Sequence, residues 1–191
     1  MKITVLRIRH ITEISHFEYA QAEHRVAHLR PQRRGPSVAI VALTDVLIYQ
    51  TIIAGCIIAG LVPFPISHRN SAAAIINLLS NTNSHHLLTT KGSLGRLVET
   101  LSTDVPDGEL SIEEIPLLGQ IYPHLGHETT EDTFVPYPDP EEKIGLDEVA
   151  LYLHSSGCTG FPKHIPETHR NLIHQAAMGP YTWCIVLISK S

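Results

Sequence analysis

From residue 15 onward, apolar positions alternate between helical and strand-like spacing. Tyr19, Ala22, Val26 and Leu29 recur at helical intervals behind a Ser15–Glu18 capping pair, which predicts a helix over 15–30. Val38 to Leu43 is a short apolar run rich in β-branched residues and predicts a buried strand. Asp45 is placed to cap a helix over 46–59 that Gly60 ends. Leu61 to Ile66 predicts a second strand, 71–81 a helix with Ala73, Ile76 and Leu79 on one side, 84–90 a strand, and 94–101 a helix. Leu110 to Ile115 mixes apolar with acidic residues, as a partly exposed strand does. Strands and helices alternating with short joints predict an α/β fold, a mainly parallel sheet flanked by helices. Residues 123–148 break the alternation. Pro123, Pro136, Pro138 and Pro140 lie among acids with one lysine, Lys143, and predict a surface loop rather than a linker between domains.

Composition narrows this picture. At 191 residues, with 43 % hydrophobic and 17 % charged residues, the chain suits one globular domain. A net charge of −5 offers no basic footprint for nucleic acid. The basic start (Lys2, Arg7, Arg9, Arg25, Arg30, Arg33, Arg34) reads as a solvated face. The uncharged stretch from Val46 to Ser67 is long enough to cross a bilayer, but Gly60, Pro63 and Pro65 divide it into a helical and a strand-like piece. Two buried elements explain it better than a membrane span. Among the 13 histidines, His24 and His28 share a face of the first helix, yet no third ligand follows at fitting spacing. His164, His169 and His174 do not align on a helix. The expectation is therefore no metal site. Cys56, Cys158 and Cys184 are widely spaced, which suits free thiols in a reducing compartment. Arginines and histidines interrupt the first residues, so no signal peptide is expected and the cytoplasm is the expected location.

The chemistry concentrates at Leu153-His-Ser-Ser-Gly-Cys-Thr-Gly-Phe-Pro-Lys163, which follows the apolar run Val149 to Leu153. Glycines let backbone N–H groups approach an anion, hydroxyls donate hydrogen bonds, and Lys163 adds a mobile charge. The spacing Gly157-x-x-Gly160-x-x-Lys163 is not that of a Walker loop. A rival reading makes Cys158 a nucleophile, with His154 or His164 as base; sequence proximity alone does not place such a base. His154 otherwise reads as a packing residue at the strand end, and the bland reading of Lys163 is a solvated side chain.

This stretch resembles the phosphate-loop signature of adenylate-forming enzymes, Ser/Thr-Ser-Gly-Ser/Thr-Thr-Gly-x-Pro-Lys. With Val149 to Leu153 before it and Pro166-x-Thr-His-Arg170 after it, the text is most similar to fungal enzymes of the nonribosomal-peptide-synthetase-like and carboxylic-acid-reductase kinds. His16-Phe-Glu-Tyr19 and Gly60-Leu-Val-Pro-Phe-Pro-Ile66 resemble further family segments, the second structural only. The resemblance covers about residues 13–175, a partial adenylation domain, leaves 1–12 and 176–191 unplaced, and implies that the residues after the acidic loop complete the same sheet. It implies that Ser155, Ser156, Gly157, Cys158, Thr159, Gly160 and Lys163 contact the phosphates of ATP. It also implies ATP/AMP with Mg2+ as cofactors and a carboxylic acid substrate. A phosphopantetheine carrier is implied as partner in a full-length relative. Cys158 departs from the pattern, since a thiol donates less well than the expected hydroxyl. The adenine, ribose and lid motifs of the family are absent from this sequence, and no catalytic residue is assigned. The expectation is an N-terminal part of an acid-activating enzyme, inactive alone. A non-catalytic remnant that binds nucleotide weakly or not at all stands as the alternative.

Overall fold

The structure, a computed structural model, describes residues 36–106, 108–122, 124–127, 129, 144–156 and 160–177. The helix expected over 15–30, with His24 and His28, lies outside the described residues, as do most of the acidic loop, Cys158, Cys184 and the chain's end.

Four strands form a parallel sheet in the order β2-β1-β3-β4: β1 (Ser37–Val41), β2 (Val62–Pro65), β3 (His86–Thr89) and β4 (Ser111–Glu114). Helices connect them: α1 (Val46–Ile58), α2 (Ala72–Thr82) and α3 (Lys91–Asp104). Strand β1 is buried along its whole length, and its side chains serve two cores by simple alternation. Ala39 and Val41 join Phe64, Ile66, Leu87 and the apolar side of α2 and α3. Ile40 and Ala42 join Ile48, Ile52, Ile53 and Cys56 of α1 on the opposite face. The chain leaves β1 toward β2 over one face and returns past β1 to β3 over the other. Right-handed crossovers dictate that arrangement when the direction of winding reverses.

Local chemistry sets the helix ends. The Asp45 carboxylate accepts from the Leu47 N–H at 2.7 Å, and Ser71 caps α2 by accepting from Ala74 N–H at 3.3 Å. Gly60, at φ +73, makes the left-handed turn that ends α1 and leads into β2. Helix α2 buries Ala74, Ile75, Leu78, Leu79 and Thr82, so its inner side is rotated from the expected Ala73–Ile76–Leu79 line and Ala73 is exposed. The run is apolar nearly all round, and its periodicity does not fix the phase. Helix α3 starts earlier than expected, at Lys91, because a first turn is joined across a kink at Leu94 (φ −116, ψ 23). A one-turn helix, α4 (Leu118–Ile121), escapes the sequence pattern; it seats Ile121 and Tyr122 against α1, where Tyr122 hydrogen-bonds Thr51. Full burial in this same layer pushes the Cys56 thiol up to about 12, which leaves it an inert apolar filler.

The uncharged stretch resolves into α1 and β2. Among the described residues no helix is long and apolar enough to cross a membrane.

Candidate phosphate-binding hairpin

Strands β5 (Val149–His154) and β6 (His164–Thr168) pair antiparallel, and the turn between them carries the candidate residues. The sequence led to the expectation that these residues extend the parallel sheet. They form a separate two-stranded sheet instead, packed beside β2. The reason lies in β2. Val62 and Ile66 donate to β1, at Pro36 O (3.2 Å) and Ile40 O (2.9 Å), so alternation turns residues 63 and 65 to the outer edge. Both are prolines and carry no N–H. That edge cannot donate a regular ladder to a fifth strand, and the short β5–β6 connection favours a hairpin.

What holds the hairpin to the sheet is therefore side-chain chemistry. Tyr152 meets Phe64 edge-on, with ring centres 5.6 Å apart, and meets His164 edge-on at the same separation. Next along the outer edge of β2, the Ser67 N–H is free of proline and donates to His154 Nε2 at 3.0 Å. At the base of the hairpin, Arg170 N donates to Leu146 O (2.8 Å) and His169 N to Glu148 O (3.1 Å). These join the start of β5 to helix α5 (His169–Ala177). The Arg170 guanidinium also grips Asp147 through two bonds of 2.8 and 3.0 Å, which holds that exposed carboxyl below its usual range.

At the tip, Ser155 N donates to Lys163 O at 3.0 Å and closes the mouth of the loop. Ser155 is half-buried and Ser156 exposed; Pro162 is buried, while Phe161 and Lys163 are exposed. Gly160 stands at φ +140, a conformation that residues with a Cβ rarely adopt, and open space surrounds the position a Cβ would take. Gly157, Cys158 and Thr159 lie outside the described residues. Of the seven expected site residues the structure thus brings Ser155, Ser156, Gly160 and Lys163 to one hairpin end.

The donor set decides what this end can hold. Hydroxyls, backbone N–H groups and an ammonium suit an anion. They do not suit Mg2+, which asks for oxygen ligands, carboxylates above all. Among the described residues no cluster of three or more His, Cys, Asp or Glu could hold a metal ion. Nucleotide phosphate fits these residues and a resident cation does not. Cys158, read from the sequence as a possible nucleophile, lies outside the described residues; of the two histidines named as its base, His154 accepts from the Ser67 N–H through Nε2.

Sequence reasoning missed the partnership of His154 with Ser67, 87 positions apart. The signal available was the parity of Pro63, Pro65 and Ser67 on one strand edge.

Known proteins resemble this chain in sequence and in fold. Residues 5–187 match the family model described as AMP-binding enzyme. An adenylate-forming reductase of Serpula lacrymans var. lacrymans is 48 % identical over 174 residues, covering 89 % of this chain and 16 % of its own length. The chain thus spans about a sixth of that curated relative. Among solved structures, a Mycobacterium tuberculosis fatty acyl CoA synthetase superposes with a TM-score of 0.60 at 18 % identity, over 91 % of this chain and 30 % of its own. The o-succinylbenzoate coenzyme A synthetase of Bacillus subtilis, in complex with ATP and magnesium ion, gives 0.57 at 16 % identity, over 89 % and 30 %. At such identities the two structures speak for the fold.

Proposed function

Because the chain belongs to the AMP-binding enzyme family, we propose that its β5–β6 loop grips the phosphates of ATP within an enzyme that activates carboxylic acids. In this reading Ser155, Ser156, Gly157, Cys158, Thr159, Gly160 and Lys163 surround the phosphates. The glycines admit backbone N–H groups to the anion, Ser155, Ser156 and Thr159 offer hydroxyls, and Lys163 offers charge. The observation that supports it most is the hairpin end itself, where Lys163 lies across from Ser155 beside a glycine at φ +140.

The reaction joins an acid carboxylate oxygen to the α-phosphorus of ATP and releases pyrophosphate. Holding the phosphates is what this chain's residues contribute: they orient the α-phosphorus and offset charge on the departing pyrophosphate. Bound with the nucleotide, Mg2+ would neutralise part of the phosphate charge. The substrate is a carboxylic acid, and in a longer relative a phosphopantetheine carrier is the acceptor. We place the protein in the cytoplasm.

A loop alone cannot set a carboxylate against the α-phosphorus, so the 191-residue chain is expected to bind ATP without turning it over. Pyrophosphate exchange into ATP checks this, with calorimetry of ATP binding in parallel. Saturable ATP binding without acid-dependent exchange is the expected result. Exchange above a no-enzyme control overturns the inactivity; no ATP binding overturns the phosphate assignment.

A further inference from the structure

We propose that His154 is a positioning residue, a neutral hydrogen-bond acceptor that latches the phosphate loop to the parallel sheet through the Ser67 N–H; this rests on the reading of the loop as a phosphate grip. The geometry carries it. The bond from Ser67 N–H to His154 Nε2 is 3.0 Å long. Ser67 belongs to a stiff turn: Asn70 bonds its carbonyl oxygen through both backbone N and side-chain Nδ2 at 3.1 Å, and Arg69 N reaches its Oγ at 3.3 Å. Ser71 then caps α2, so the turn moves with the sheet and its core. At the other end of the latch, His154 is the last residue of β5 and Ser155 the first of the loop. With Pro63 and Pro65 on the edge of β2, no regular ladder fixes that end of β5 to the sheet.

An acceptor role demands one tautomer. Nε2 must keep its lone pair, so the proton sits on Nδ1, which is buried and has no hydrogen-bond partner among the described residues. Protonating the ring turns Nε2 into a donor facing a donor, and the latch opens. Burial lowers the His154 pKa from 6.5, opposed in part by the Ser155 backbone. The folded state therefore binds fewer protons than the unfolded one. The latch is intact above the ordinary histidine pKa and is lost as pH falls through the lowered value. Other titratable groups nearby are few. Strands β2 and helix α2 bring none. Strand β6 brings His164, paired with His154, and Glu167. The turn brings His68 and Arg69; Tyr152 and Lys163 flank the site.

The test uses the 191-residue chain with ATP as probe, in wild type, His154→Gln and His154→Leu. Gln places a neutral oxygen acceptor where Nε2 sits and does not titrate, and it shares the nucleotide's own dependence on pH. Imidazole nitrogen shifts of His154 and exchange of the Ser67 amide are followed across the acid range. The expected result is the Nδ1–H tautomer, a protected Ser67 amide that loses protection as His154 titrates, and protection retained in His154→Gln. On acidification, wild-type ATP affinity should fall about tenfold further than that of His154→Gln. His154→Leu should bind weakly at every pH. The opposite tautomer, or Ser67 protection indifferent to both pH and the Leu substitution, overturns the latch. Equal ATP affinity and pH profile in all three overturns the positioning role while leaving the phosphate reading standing. Intact latch behaviour with no ATP binding in any of the three overturns the phosphate reading and the role built on it.

Discussion

Phe64→Ala should lower the unfolding free energy by about 3–5 kcal/mol, the range of an aromatic deletion in a core that cannot collapse. Phe64 is fully buried at the junction of three elements. It stands opposite Ala39 in the register of β1, packs with the apolar side of α2, and offers its ring edge-on to Tyr152 of the hairpin. Removing it empties the space between the sheet and α2 and deletes the aromatic contact that seats β5. Phe161 supplies the contrast. It is 54 % exposed on the loop, and Phe161→Ala should change stability by no more than about 0.5 kcal/mol. Denaturant unfolding of both variants checks the pair. A cost for Phe64→Ala below that of Phe161→Ala would move the centre of the core elsewhere.

Lys163→Ala should weaken ATP binding by roughly tenfold to a hundredfold, the equivalent of one charge-assisted hydrogen bond of about 1.5–3 kcal/mol. The side chain is exposed and its backbone carbonyl closes the loop, so the substitution removes the ammonium while the hairpin bond to Ser155 survives. Stability should therefore stay within about 0.5 kcal/mol of wild type. Cys158→Ser should act in the other direction, tightening binding by up to about tenfold, because a hydroxyl donates to phosphate oxygen better than a thiol. Calorimetric titration with ATP reads both. If Lys163→Ala is silent and Cys158→Ser is neutral or weaker, the loop does not act on phosphate.

Much of the fold could be read from the sequence because the central strands β1 and β2 are buried almost throughout. Such strands appear as short apolar runs; β2 and β3 fell within their expected spans, and β1 began one residue before its own. Caps were legible where the chemistry is local, as at Asp45 and Gly60. The phase of α2 was not, since Ala72 to Leu79 is apolar almost throughout and burial is decided by the sheet beneath. The first turn of α3 was also hidden, because Lys91-Gly-Ser93 has no apolar periodicity and is held from outside, by the Glu114 carboxylate on the Lys91 N–H at 2.8 Å. The hairpin was misjudged for a physical reason. Composition marks β5 as a strand, but whether it joins β2 depends on which edge two prolines face. That is set by the register of β2 on β1, which a single sequence does not carry. The candidate loop was legible as a motif; the latch beneath it needed two segments brought together in space.

Backbone amide shifts of the chain, recorded with ATP and separately with adenosine, test the phosphate grip most directly. The account predicts that ATP moves the amides of Ser155, Ser156, Gly157, Cys158, Thr159, Gly160 and Lys163 together, and that adenosine, which lacks phosphate, leaves them in place. Shifts elsewhere with the loop unmoved, or the same loop shifts from adenosine, would contradict it.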